Sequence, residues 1–246
     1  MSEQFDILLP LGDGSRHGNV ELRFALRSIE RHCRGYSKIV VVGIDPGFLA
    51  PHPRLKFVPR SDFPGNKEAR IAQKLAWAFE HAVETGYAVL WNDDYVIQRR
   101  VDVRRLPFYH GLSLPESAAR HNGGRYKRSL SLTAEFLENA GRPAWNYDLH
   151  LPMIFNRERF LALDHWWRVS RRSSCGLVVK SIYANVHLDA PGPQTTDCKL
   201  RWCRDGSFRA RIARRWCYSY SDESLDSGLR AHLEAEFPRR SEFEAR

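Results

Sequence analysis

A chain of 246 residues with 43% hydrophobic content can bury one large α/β core, and it reads as one domain with a C-terminal extension. No run approaches the roughly 18–20 apolar residues of a membrane span, and the start MSEQFDILLP lacks the basic opening of a signal peptide, so a soluble, cytoplasmic protein is expected. Five scattered cysteines without a C-x-x-C pair exclude a zinc or dithiol motif, while a net charge of +9, carried mostly by arginine, favours a polyanionic partner.

In chain order, FDILLPL (Phe5–Leu11) is a short apolar run that opens into Gly12-Asp-Gly-Ser15, a first strand and a tight loop. Asn19 can cap the helix that follows. Leu22, Leu26, Ile29 and Cys33 form its apolar face, with Glu21, Arg23, Arg27, Glu30 and Arg31 mostly off it. KIVVVG (38–43) is a continuous strand of the kind buried on both faces, so strand, helix and strand imply a parallel crossover. A third strand is expected at 55–58. A long helix follows from Lys67 to Thr85, striped by Ile71, Leu75, Ala78, Phe79, Ala82 and Val83 and ended by Gly86. Tyr87 to Trp91 is a central strand, which completes β-α-β-β-α-β. Further on, a helix is expected at 129–140, a looped or extended segment at 143–155 and a strand-like run at 177–186. A tail helix spans 221–237 on the spacing of Leu225, Leu229, Leu233 and Phe237.

The central strand runs straight into Asn92, Asp93 and Asp94. Adjacent carboxylates beyond a buried strand are costly unless solvated, paired or bound to a cation, so Asp93 and Asp94 are candidate ligands for Mn or Mg; an ordinary Asn-Asp-Asp turn is the alternative. A cation of this kind would offset the charge of a diphosphate leaving group. In YDLHLP, Asp148 and His150 are two residues apart and share one side of an extended segment. That spacing can bring a metal ligand and a general base to one pocket, or place a carboxylate beside an imidazole. The loop Pro10-Leu-Gly-Asp-Gly-Ser-Arg16 matches neither the kinase-type nor the dinucleotide glycine pattern, but its backbone can approach a nucleotide.

Together DILLPLGDGS, NVELRFALRSIERHC, KIVVVG, the helix beginning at Lys67 and VLWNDDYVI resemble GT-A nucleotide-sugar transferases, particularly a bacterial and phage-borne group related to the Stealth sugar-phosphate transferases. The likeness covers residues 5–98, and YDLHLPMIFNRERF resembles that group's downstream histidine segment. It implies a GT-A-like, Rossmann-like α/β domain with a mostly parallel central sheet over residues 1–197, on which residues 198–246 pack as a basic, helical extension. It also implies that Asp93 and Asp94 hold a divalent cation and the donor diphosphate, and that His150 completes this site. Pro10, Leu11, Gly12, Asp13, Gly14 and Arg16 would lie beside the nucleoside, with Lys67, Arg70, Lys74 and Asn92 as further nucleotide-sugar contacts. The opening LPLGDGS and the short chain depart from Stealth proteins and favour ordinary glycosyl transfer over phosphosugar transfer.

For the acceptor, the segment KLRWCRDGSFRARIARRWCYSY (199–220) interleaves Lys199, Arg201, Arg204, Arg209, Arg211, Arg214 and Arg215 with Trp202, Phe208, Trp216, Tyr218 and Tyr220, as a surface that grips phosphates and stacks on bases would. The expected function is therefore a metal-dependent transfer from a UDP-sugar to a hydroxyl, such as a hydroxymethylated pyrimidine in DNA, with Asp148 as base. A surface-glycan transferase, a Stealth-like phosphosugar transferase and a non-catalytic nucleic-acid-binding protein are the alternatives.

Overall fold

The computed structural model describes residues 3–200, 207–225 and 227–245. The chain runs β1 (Phe5–Leu11), α1 (Val20–His32), β2 (Cys33–Arg34), β3 (Ile39–Gly43), β4 (Leu55–Pro59), α2 (Lys67–His81), β5 (Tyr87–Leu90), β6 (Tyr95–Ile97) and β7 (Val101–Asp102). It continues through α3 (Leu114–Ala119), α4 (Gly124–Asn139), β8 (Met153–Asn156), α5 (Arg157–Leu161), α6 (Asp164–Arg172), α7 (Val179–His187), β9 (Lys199–Leu200), α8 (Phe208–Ile212), β10 (Cys217–Tyr220) and α9 (Ser227–Glu236).

The main sheet has the order β4-β3-β1-β5-β8. Its first four strands are parallel, and β8 runs antiparallel to β5. Because side chains alternate across a strand, β1 and β3 feed two cores at once. Leu8, Val40 and Val42 pack with Leu75, Ala78 and Phe79 of α2. Ile7, Leu9, Ile39 and Val41 pack with Leu22, Leu26 and Ile29 of α1. Both faces are covered, which is why the strands read as unbroken apolar runs. Gly43, at φ +153°, lies against β1 so closely that an added Cβ would meet the Leu11 carbonyl oxygen at 1.9 Å. Gly43→Ala is expected to cost about 3 kcal/mol and lower the melting temperature by about 6–12 °C, whereas Gly86→Ala, which meets nothing within 4 Å, leaves it in place. A Gly43 variant melting like the parent would contradict this close approach.

Several expectations need correction. The run at 177–186 is helix α7 rather than a strand. Val179, Ile182, Tyr183 and Val186 lie at helical spacing, and packing in the α2-side core overrides their β-branched preference. Helix α2 ends at His81 rather than at Gly86, and α4 begins five residues before Ser129. Asn19 occupies the N-cap of α1 in a left-handed conformation without a side-chain cap bond, and its own N–H donates to Ser15 Oγ. Glu21 is buried rather than off the packed face.

The C-terminal segment folds back over α1. Strand β10 pairs antiparallel with β6 and parallel with β9. Phe208, Tyr218 and Tyr220 are core residues here, packed with Phe24, Leu229 and Leu233. The expected base-stacking role is thereby corrected for these three, since a buried ring presents no face to a nucleic acid. Arg209, Arg211 and Arg214 are exposed, and Arg215 donates to the carbonyl and hydroxyl oxygens of Thr196. Arg201, Trp202 and Arg204 lie outside the described residues. Cys33, Cys175, Cys198 and Cys217 are free, buried thiols. Among the described residues no helix is long and apolar enough to cross a membrane.

Candidate active site

β1 and β5 are parallel neighbours, so the loops that leave their carboxyl ends emerge side by side, where α/β sheets bind ligands. Gly12 and Gly14 from one loop and Asp93 and Asp94 from the other line a cleft of about 350 Å³, together with Glu21 and Asp222. The cleft is strongly acidic. Asp94 Oδ2 accepts from Ser219 Oγ at 2.7 Å and lies 3.9 Å from Lys199 Nζ, while its Oδ1 is buried without a hydrogen-bond partner among the described residues. Glu21 Oε2 accepts from Ser15 Oγ at 3.0 Å, and its Oε1 is likewise buried and unpaired. Burial, with the nearby carboxylates of Asp94 and Glu21, pushes Asp93 up to about 7. Burial also raises Glu21.

Next to it is a larger cavity of about 990 Å³. Asn92 and Lys199 line it, and Lys199 borders both spaces. Asp148 and His150 both face this cavity, as their spacing predicts. Tyr126 Oη donates to Asp148 Oδ2 at 2.9 Å; burial, then Asp148 itself, raises the phenol far enough to keep it a donor. The partner of His150 is Asp197, not Asp148: Nδ1 lies 2.9 and 3.0 Å from its carboxylate oxygens, and the His150 N–H donates to Oδ1. Burial acts to raise Asp197, but the bonds from His150 outweigh it and hold the carboxyl well below the usual range. Glu68 is buried at the cavity wall, where burial and then the Asp148 charge push it up to about 7. Lys180 is buried and donates to Tyr95 Oη, Leu149 O and Leu151 O, which fixes the segment carrying Asp148 and His150.

No family model matches the chain, and no curated protein matches it. Among solved structures it is similar to the galactosyltransferase LgtC in complex with donor and acceptor sugar analogues, with a TM-score of 0.51, 11% identity, and 96% of this chain and 98% of that chain covered. The fold is of the GT-A type. A structure of an LgtC active-site mutant gives a TM-score of 0.49 at the same identity and coverage.

Within this GT-A fold, the expected single metal site of Asp93, Asp94 and His150 is not formed. His150 lines the larger cavity, and among the described residues no three His, Cys, Asp or Glu side chains converge as a complete cage. The unpaired oxygens of Asp94 and Glu21, beside a carboxyl raised by burial and then by its neighbours, nevertheless fit a hard cation that takes a few protein oxygens and completes its shell from phosphate.

The nucleotide contacts expected on α2 are also redistributed. Lys74 is buried and bonds Leu11 O and the Asp62 carboxylate, so it ties α2 to the end of β1. Arg70 pairs with Asp62 at 3.5 Å. Lys67 is exposed and lines the larger cavity. Pro10 and Leu11 belong to β1, Asp13 is exposed, and Arg16 pairs with Glu223. Asp197, Glu68, Tyr126 and Asp222 carried no sequence signal, because each acquires its neighbours only through tertiary contacts.

Proposed function

We propose that the chain is a metal-dependent glycosyltransferase that moves a sugar from a nucleotide sugar, a UDP-sugar by preference, to a hydroxyl acceptor in the cytoplasm. The reading is supported chiefly by the joining of an acidic cleft, at the ends of β1 and β5, to a polar cavity that contains a hydrogen-bonded carboxylate. Asp93 and Asp94, with Glu21 beside them, would hold a divalent cation. When bound, such a cation offsets the negative charge that develops on a departing diphosphate. Gly12 and Gly14 let the backbone approach the nucleotide. In the neighbouring cavity Asp148 takes the acceptor's hydroxyl proton as the new bond to the sugar forms, and the phenol of Tyr126 sets the direction of its carboxylate. His150, anchored by Asp197, orders the same cavity wall.

The net charge of +9 and the exposed Arg209, Arg211 and Arg214 support an anionic acceptor, such as DNA bearing a hydroxymethylated pyrimidine. The test incubates the chain with Mn, a panel of nucleotide sugars and hydroxymethylpyrimidine DNA, then weighs the released nucleosides. The expected result is one donor consumed only while metal is present, with a hexose- or pentose-sized mass gain on the modified base. Donor consumption without that gain moves the acceptor elsewhere. Absence of metal-dependent consumption across the whole panel overturns the transferase reading.

A further inference from the structure

The cations that line the larger cavity differ in what they already bind, and Lys199 among them leans on Asp94 at 3.9 Å. Inside, Lys180 is buried with its three donors directed at Tyr95, Leu149 and Leu151, so it has nothing left for a ligand. Lys67, Arg120 and Arg125 are exposed on the same lining, and none of the three makes an ion pair among the described residues. They come from three separate places, the first residue of α2, the C-cap residue just after α3 and the second residue of α4. Nothing in local sequence obliges such a convergence. Helix α4, 16 residues long, begins at Gly124, next to Arg125, and its N-cap Gly123 offers no side-chain cap, so its first amides add a positive dipole end there. The donor's diphosphate belongs in the other space, beside Asp93 and Asp94, with Lys199 on its border.

We propose that the acceptor carries a phosphate group, held at the rim of the larger cavity by Lys67, Arg120 and Arg125 while its reacting hydroxyl reaches Asp148 within. Two arginine forks and an ammonium suit a phosphate better than a neutral glycan, because planar guanidinium pairs two oxygens at once. A cavity of about 990 Å³ admits a phosphorylated sugar or a single extruded nucleotide, but not a duplex. The phosphate can thus come from a free sugar phosphate or from a polynucleotide backbone. The inference rests on the transferase reading for the role of the occupant, whereas the preference for phosphate is measured independently of it.

The experiment titrates the full chain with glucose, glucose 6-phosphate, 5-hydroxymethyldeoxycytidine, its 5′-monophosphate and, separately, UDP with Mn. In the wild type, phosphorylated probes are expected to bind at least about tenfold more tightly than their dephosphorylated parents. The double variant Arg120→Ala, Arg125→Ala, altered at two exposed positions, is expected to lose that preference and to bind UDP as before. A larger gain for glucose 6-phosphate indicates a sugar-phosphate acceptor, and a larger gain for the nucleotide indicates a polynucleotide. Equal binding of phosphorylated and unphosphorylated probes overturns the proposal. So does loss of UDP affinity in the double variant, which assigns the three cations to the donor. Failure of the wild type to bind UDP strikes the transferase reading alone, since the phosphate preference is read in the same titrations.

Discussion

Asp94→Asn is expected to lower sugar transfer by about 10²–10³-fold while the protein keeps its fold. The amide is nearly the same shape and can still accept from Ser219 Oγ, so the change removes charge and little else. That charge matters because the acidic cleft contains Asp93, Asp94, Glu21 and Asp222 against one bordering ammonium, Lys199. An arrangement so unbalanced stores repulsion, visible in the Asp93 carboxyl pushed up to about 7 by burial and then by Asp94 and Glu21. A bound dication would relieve the repulsion, and the buried Oδ1 of Asp94, which has no hydrogen-bond partner among the described residues, is a candidate to accept it. The decisive measurement pairs turnover of the nucleotide sugar with direct Mn binding. Both should fall in Asp94→Asn and neither in Asp13→Asn, which removes an exposed carboxylate from the facing loop. Unchanged Mn affinity in Asp94→Asn would show that this cleft is not the metal site.

Glu244→Ala should cost about 3–5 kcal/mol of stability and lower the melting temperature by about 6–20 °C, a large effect for the third residue from the C-terminus. The Glu244 side chain is fully buried and receives Arg27 Nε at 2.7 Å, Arg27 Nη2 at 2.8 Å and Arg23 Nη1 at 2.8 Å. It also accepts the N–H and hydroxyl of Ser241. Truncation strands two arginines of α1, which make no other ion pair among the described residues. Burial by itself raises the Glu244 carboxyl, but the bonds from Arg27, Ser241 and Arg23 prevail and hold it at about 2, below its ordinary 4.5. The sign follows from that depression: the contribution, about 3 kcal/mol, is complete above pH 4.5 and disappears as pH falls towards 2. Urea unfolding of wild type and variant at pH 7 and pH 3 should therefore show a gap that narrows at the acid end. A variant that melts within 2 °C of the parent would show that the clamp is dispensable.

The order of β1, α1, β3, β4, α2 and β5 is legible because both cores are assembled from local periodicity, two in β1 and β3 and about 3.6 in α1 and α2, whereas the short β2 and β6 carry no such signal. Asp93 and Asp94 are legible for a related reason: a buried strand that ends in acids is chemically conspicuous wherever it occurs. The rest of the site depends on pairings that spacing does not encode. His150 and Asp197 are separated by 47 residues, and Arg27 and Glu244 by 217. Composition misleads where it ignores faces. The segment at 199–220 looks like an aromatic and arginine surface, yet β10 turns Tyr218 and Tyr220 inward and α8 does the same with Phe208. Helix α7 misleads in the opposite way, because Val, Ile and Tyr favour strands until a packed neighbour decides otherwise.

Lys199 borders both the acidic cleft and the larger cavity, and it leans on Asp94 across a loose 3.9 Å. A dication bound at Asp94 Oδ1 would offset the carboxylate charge that holds this ammonium near Oδ2, and so loosen it. Once loosened, the ammonium still faces the larger cavity, where it adds to the positive potential at Lys67, Arg120 and Arg125. If donor and metal occupy the acidic cleft as proposed, filling one chamber would prepare its neighbour for an anion, and the expected kinetic counterpart is compulsory order, with donor and metal first and acceptor second.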